Sequence, residues 1–170
     1  MKRLLLLLSL LCMCMPATAQ FNHDFLQVRN PQRDWDARPG TISEATFSVR
    51  PKGIYAEVGV YLTFSDEGAG FSTNEQLEVR FFFSLPPDAM VIDSWLWVGD
   101  QIVRADLIDR WTATETYEGI VNRRQDPSVL IKQDQQHYEL RVFPMLGGKT
   151  RRVKITYWMP MRWTEERAHT

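Results

Sequence analysis

Imidazole chemistry would have to come from His23, His137 or His169, the only three histidines in the chain. His137 stands at the start of a strand-like run beside Gln135 and Gln136, and the other two lie towards the chain ends. None has another histidine or a cysteine at the spacing a metal site uses. No serine sits in the glycine-flanked elbow that a hydrolytic nucleophile requires. Glycoside cleavage would need two carboxylates facing one bond. Asp66, Glu67, Asp93 and Asp106 could be paired on paper, but 21 acidic residues always supply such pairs. Gly68-Ala69-Gly70 leads into polar residues and a strand, so it lacks the helix start that cradles a phosphate. These residues predict no catalytic group, no metal and no cofactor.

Tryptophan offers a different chemistry. Trp95, Trp97, Trp111, Trp158 and Trp163 are many for a short chain. Trp95 and Trp97 are two residues apart and share one face of any strand. Large aromatics pack cores and domain interfaces. They also stack on sugars and anchor protein partners. Trp95, Trp97, Trp111 and Trp158 are therefore the candidate interaction surface, with core packing as the competing use of the same rings.

The elements that must hold these residues are strands. Ile54, Ala56, Val58, Val60, Leu62 and Phe64 alternate with Tyr55, Glu57, Gly59, Tyr61 and Thr63, a period of two over eleven residues. Leu77, Val79, Phe81 and Phe83 repeat the pattern, with Glu78 and Arg80 outward, and Pro86-Pro87-Asp88 ends it. Between Met90 and Val98 both faces are apolar. Met90, Ile92, Leu96 and Val98 point one way and Val91, Trp95 and Trp97 the other, as in a strand covered on both sides. Gly99-Asp100 turns the chain into a strand over Gln101 to Leu107. Thr112 to Glu115 has capping-box spacing, which predicts one short helix over Thr112 to Arg123, stopped at Asp126-Pro127. Strands follow at Val129 to Lys132, Tyr138 to Phe143 and Val153 to Tyr157. Gly147-Gly148 sits where a hairpin needs positive φ. The expected fold is mainly β: an antiparallel β-sandwich of about seven to eight strands with one short helix inserted.

The ends differ in texture. Lys2 and Arg3 precede an apolar run from Leu4 to Met15, then Pro16 and Ala17-Thr18-Ala19. That is a secretory signal peptide over residues 1–19, with cleavage between Ala19 and Gln20. A spanning helix needs roughly twenty apolar residues, and this run is shorter. Neither Cys12 nor Cys14 has the small-residue context of a lipidated cysteine. Cleavage would remove both cysteines, so no disulfide could form. It would also remove two of the 20 basic residues, leaving 18 against 21 acidic, a net charge of −3. That balance gives no concentrated basic face for nucleic acid. Arg123-Arg124 and Arg151-Arg152 read as solvated pairs. Residues 20–40 form a polar lead-in whose large aromatics are Phe21, Phe25 and Trp35, docked in part on the domain. Residues 41–163 are the domain, and 164–170 a polar tail or the start of a linker.

The order of these pieces resembles the VIT domain, found at the front of inter-α-trypsin-inhibitor heavy chains. The strand and proline turn of Leu77 to Val91, the glycine turn and strand of Gly99 to Arg104, the helix with Tyr117-Glu118, and the closing hairpin of Pro144 to Tyr157 carry it. The family's usual von Willebrand A domain needs an Asp-x-Ser-x-Ser metal loop, which this sequence lacks, so no metal residue carries over. The resemblance implies a non-enzymatic exported module in the periplasm, at the cell surface or outside the cell. Its partner would be another protein or a following domain; a secreted glycan-binding sandwich and the front piece of a larger surface protein are the alternatives. No nucleic acid and no membrane span after cleavage are expected.

Overall fold

Alternating apolar and polar residues put one face of each strand out of water, and two such faces close on each other. The computed structural model describes residues 25–33, 35–109, 128–163 and 168–169. Along them run β1 (Leu26–Arg29), β2 (Arg38–Pro39), β3 (Thr41–Lys52), β4 (Tyr55–Ser65), β5 (Gln76–Ser84), β6 (Met90–Val98) and β7 (Gln101–Arg104). Then come β8 (Asp106–Asp109), β9 (Ser128–Lys132), β10 (His137–Leu146), β11 (Thr150–Pro160), β12 (Arg162–Trp163) and β13 (Ala168–His169). One sheet has the order β2-β1-β5-β10-β9-β8 and the other β3-β4-β11-β6-β7, while β12 and β13 pair separately. The fold is the expected mainly β sandwich.

Its core is the inner face of both sheets. Leu62, Phe64, Leu96, Val153 and Ile155 from the five-stranded sheet meet Val28, Leu77, Val79, Leu140 and Val142 from the six-stranded one. Each such side chain, fully buried, stabilises by roughly 1.5–3 kcal/mol.

Several strands depart from the sequence reading. Within the lead-in, Leu26 and Val28 form β1, are 1% and 0% exposed, and pair with Phe81 and Val79 of β5. The aromatics Phe25 and Trp35 are exposed. Two apolar residues in four are too short a window for periodicity to register. The expected strand over Gln101 to Leu107 breaks at Ala105, where the chain leaves β7 in one sheet for β8 in the other. β8 and β9 run parallel. Such a pair needs a crossover connection rather than a hairpin, and the helix expected over Thr112 to Arg123 falls in that connection, outside the described residues.

β6 corrects the largest error. Thr156 faces Asp93, but the next residue, Tyr157, faces Val91. The extra residue in β6 is a bulge, and a bulge re-aims every side chain beyond it. Val91, Ser94 and Leu96 therefore point inward and are buried, while Met90 and Ile92, expected alongside Leu96, are exposed. The strand is covered on one face only.

Glu78 does point outward from β5, yet it is 1% exposed and paired with Arg29. On the same outer face, opposite Phe82, Glu139 of β10 accepts from Arg80 Nε at 2.6 Å, Arg141 Nε at 2.7 Å and Gln133 Nε2 at 2.8 Å. Burial opposes ionisation of Glu139, but the Arg141 and Arg80 guanidiniums outweigh it and hold the carboxyl below its ordinary value of 4.5. A carboxyl lowered on folding contributes stability above its unfolded value and loses it as the pH falls through the folded one. Glu139→Gln should cost about 3 kcal/mol at pH 7. The gap between the two proteins' urea midpoints should narrow below pH 4.5; a gap independent of pH would show that the charge is not what counts.

The β10–β11 turn needs both glycines, for different reasons. Gly148 has φ 70° and donates its N–H to Asp66. Gly147 is required for space, since a Cβ there would lie 2.0 Å from the Ser72 carbonyl oxygen. Gly147→Ala should lower stability by roughly 1–3 kcal/mol or more, measured by thermal or urea unfolding. An unchanged midpoint would mean that the Ser72 loop yields freely.

Candidate functional site

In a strand the residue next to a core residue faces away from the core. Val153 and Ile155 of β11 are in the core, so Arg152 and Lys154 lie on the outer face of the five-stranded sheet. Lys154 stands opposite Tyr61 of β4 on one side and Trp95 of β6 on the other. The lysine thus lies in a row of three across three strands.

The contacts are those of cations on aromatic faces. Lys154 Nζ is 4.1 Å from the Trp95 ring centre and 5.4 Å from that of Tyr61. Arg152 Cζ is 4.8 Å from the centre of Trp97 and 5.9 Å from Tyr61. Trp95 and Trp97 meet edge to face, with centres 5.9 Å apart and planes at 63°. Tyr61 and Trp97 are 6.4 Å apart. Trp95 Nε1 donates to Asp93 Oδ2 at 2.6 Å, which fixes the ring's orientation. Gly59, two residues along β4 from Tyr61, would carry a Cβ 2.6 Å from Ser48 Oγ of β3 but in ordinary contact with Lys154, so its bare backbone accommodates the serine. Each cation–π contact of this kind contributes about 0.5–1 kcal/mol when exposed and more when desolvated.

Trp95, Trp97, Tyr61 and Lys154 are half-buried and Arg152 is exposed. Neither tryptophan belongs to the core cluster. Trp158 lies at the other end of the same face, 37% exposed and stacked on Tyr55 at 6.0 Å. Met90, opposite Trp158 in β6, is exposed beside it. Of the four candidates, Trp95, Trp97 and Trp158 therefore share one surface. Trp111 lies outside the described residues, as do Ala19 and Gln20.

The sequence reading missed the cations. Arg151-Arg152 read as a solvated pair, but strand geometry sends the two to opposite faces. Arg151 Nε donates to the Pro144 carbonyl at 2.9 Å, and Arg152 covers Trp97. The signal was available in the spacing: Arg152 and Lys154 are two apart, as are Trp95 and Trp97.

Elsewhere the titratable groups stabilise structure. His137 is exposed at the β9–β10 turn, its Nδ1 2.8 Å from Asp134 Oδ2. Backbone N–H groups of Gln136 and His137 and the His137 side chain hold the Asp134 carboxyl down at about 2. Among the described residues, no three His, Cys, Asp or Glu side chains gather closely enough to hold a metal.

The whole-chain pattern has a known counterpart. The family profile of the vault protein inter-alpha-trypsin domain matches residues 42–157. The chain belongs to the VIT family. The VIT match runs from β3 into β11 and so takes in Trp95, Trp97, Arg152 and Lys154 but stops one residue short of Trp158, while β1 and β2 lie before it. VIT domains are a non-catalytic family of protein-interaction modules, and they occur in secreted proteins. No curated protein matches this VIT chain. Among its described residues no helix is long and apolar enough to cross a membrane.

Replacing the cation isolates the aromatic row. Lys154→Met keeps the stem and removes the charge. Stability should change by about 1 kcal/mol or less, while the Trp95 and Trp97 indole N–H resonances shift in NMR spectra. Unmoved resonances would show that the ammonium does not sit on the rings.

Proposed function

We propose that this VIT domain is exported and serves as a docking module. Its contact face is the outer surface of the five-stranded sheet around Trp95 and Trp97. The observation that carries the reading is the pair of half-exposed tryptophans, outside the core, held by Arg152 and Lys154. Tryptophan, tyrosine and arginine are the residues that dominate binding energy at protein interfaces. Burying such rings in the unbound protein would be simpler; displaying them favours a partner.

The partner's chemistry follows from charge and ring geometry. Arg104, opposite Trp95 in β7, adds a third cation beside Arg152 and Lys154, which favours a protein surface bearing carboxylates. A sugar would need a free, level ring face. Here the rings stand at 63° and cations cover them, so a protein fits better than a glycan. Export rests on Lys2 and Arg3, the apolar run after them and the small residues Ala17 and Ala19. VIT domains occur in secreted proteins.

Two measurements test the proposal. The product recovered outside the cytoplasm should begin at Gln20; one still beginning at Met1 would overturn cleavage after Ala19. A photo-crosslinking residue at Ile102, which faces Trp97 in the neighbouring strand, should capture a discrete protein in the exporting cell. Trp97→Ala should abolish that adduct and salt should weaken it. The same probe at Asn74, far along the chain in a loop, should capture nothing. Equal capture at both positions, or none at either, would sink the docking face. Glycan binding lost in Trp97→Ala would replace the protein partner with a sugar.

A further inference from the structure

Sheet edges carry unpaired N–H and C=O groups that can pair with another chain. β3 is one edge of the five-stranded sheet, pairing only with β4, and at 12 residues it is a long one. Natural edges are commonly blunted by shortness, prolines or charge. Here Pro51 and Lys52 come only at the far end, leaving Glu44 to Arg50 open.

The underside of this edge is also unfinished. Ala45, Phe47 and Val49 stand opposite Leu62, Val60 and Val58, so they share the inner, apolar face. Yet Phe47 is 67% and Val49 59% exposed. The six-stranded sheet does not reach beneath them. A groove of about 430 Å³ opens there, lined by Phe25, Ile42, Phe47, Phe81 and Phe83 among others. An added strand would need apolar residues alternating on its inner face.

We propose that β3 pairs antiparallel with β3 of a second copy, joining two five-stranded sheets across a two-fold axis at Phe47. The strand's own sequence carries the argument. Centred on Phe47, the two phenylalanines face each other, Ala45 faces Val49 of the other copy, and Thr46 faces Ser48. Glu44 then faces Arg50, twice, because a two-fold contact repeats itself. Opposite charges directly across a ladder stabilise it. The apolar pairs fall on the inner face and the ion pairs on the outer, as the alternation within each copy demands. Centring on Ser48 would instead set Pro51 within the ladder opposite Ala45, with no N–H to give.

The test uses the full chain with Cys12 and Cys14 changed to serine, so that an introduced cysteine is the only thiol. Sedimentation should show the mass rising from one chain to two with concentration. Glu44→Arg and Arg50→Glu should each weaken the dimer about tenfold or more. The double variant E44R/R50E should recover it, which a merely misfolded edge would not do. Phe47→Cys should form a disulfide-linked dimer under mild oxidation, because facing residues lie within disulfide reach. Val49→Cys, some four residues from its own counterpart, should not. A chain that stays monomeric at all concentrations overturns the proposal. So does a dimer that neither the charge swap nor the Phe47 cysteine affects.

Discussion

The register of β11 between β4 and β6 is the constraint on which the five-stranded sheet depends. β11 is paired with β4 along its whole length and with β6 from Val153 to Trp158. With a side-chain period of two, burying Val153 and Ile155 obliges Arg152 and Lys154 to the other face. The same register sets Lys154 between Tyr61 and Trp95. A slip of one residue would expose the core and bury the cations together. Core and tryptophan face are therefore two consequences of one pairing, and packing energy from the core holds the surface row in place at no separate cost in backbone order.

The bulge in β6 is what makes this compatible with Trp95 and Trp97. Without it, Val91, Trp95 and Trp97 would share a face, and burying Val91 would carry both tryptophans into the sandwich. The inserted residue changes the phase between Val91 and Ser94. Val91 stays in the core, and the two rings emerge on the outside. A single extra residue thus decides whether the tryptophans are core or surface.

That also explains what could be read in advance. β4 was legible because Ala56, Val58, Leu62 and Phe64 alternate without interruption and are all buried. The sharing of a face by Trp95 and Trp97 was legible, since it depends only on spacing. Which face was not, because bulges leave no compositional mark in an all-apolar run. β1 escaped notice because only Leu26 and Val28 report it. β3 did too: as an edge strand it keeps Phe47 and Val49 in water, so its apolar residues serve no core that a pattern would betray. Spacing shows that Arg152 and Lys154 share a face, but not that they lie on rings, since those come from β4 and β6, more than fifty residues earlier.

The two outer faces of the sandwich show opposite treatments of polar chemistry. On the six-stranded sheet, Glu78 and Glu139 are buried under arginine side chains. Each carboxylate has lost water and recovered charge-assisted bonds, so that face is satisfied within the chain and offers little to a partner. On the five-stranded sheet the cations lie on aromatic rings. A ring face satisfies an ammonium only partly, because its carbons accept no full hydrogen bond from the N–H groups. Arg152 and Lys154 therefore keep donors that an incoming carboxylate can still use, while the rings beneath them supply apolar area to bury. The charge network closes one outer face, while the cation–aromatic row leaves the other with donors and apolar area that a partner can still use.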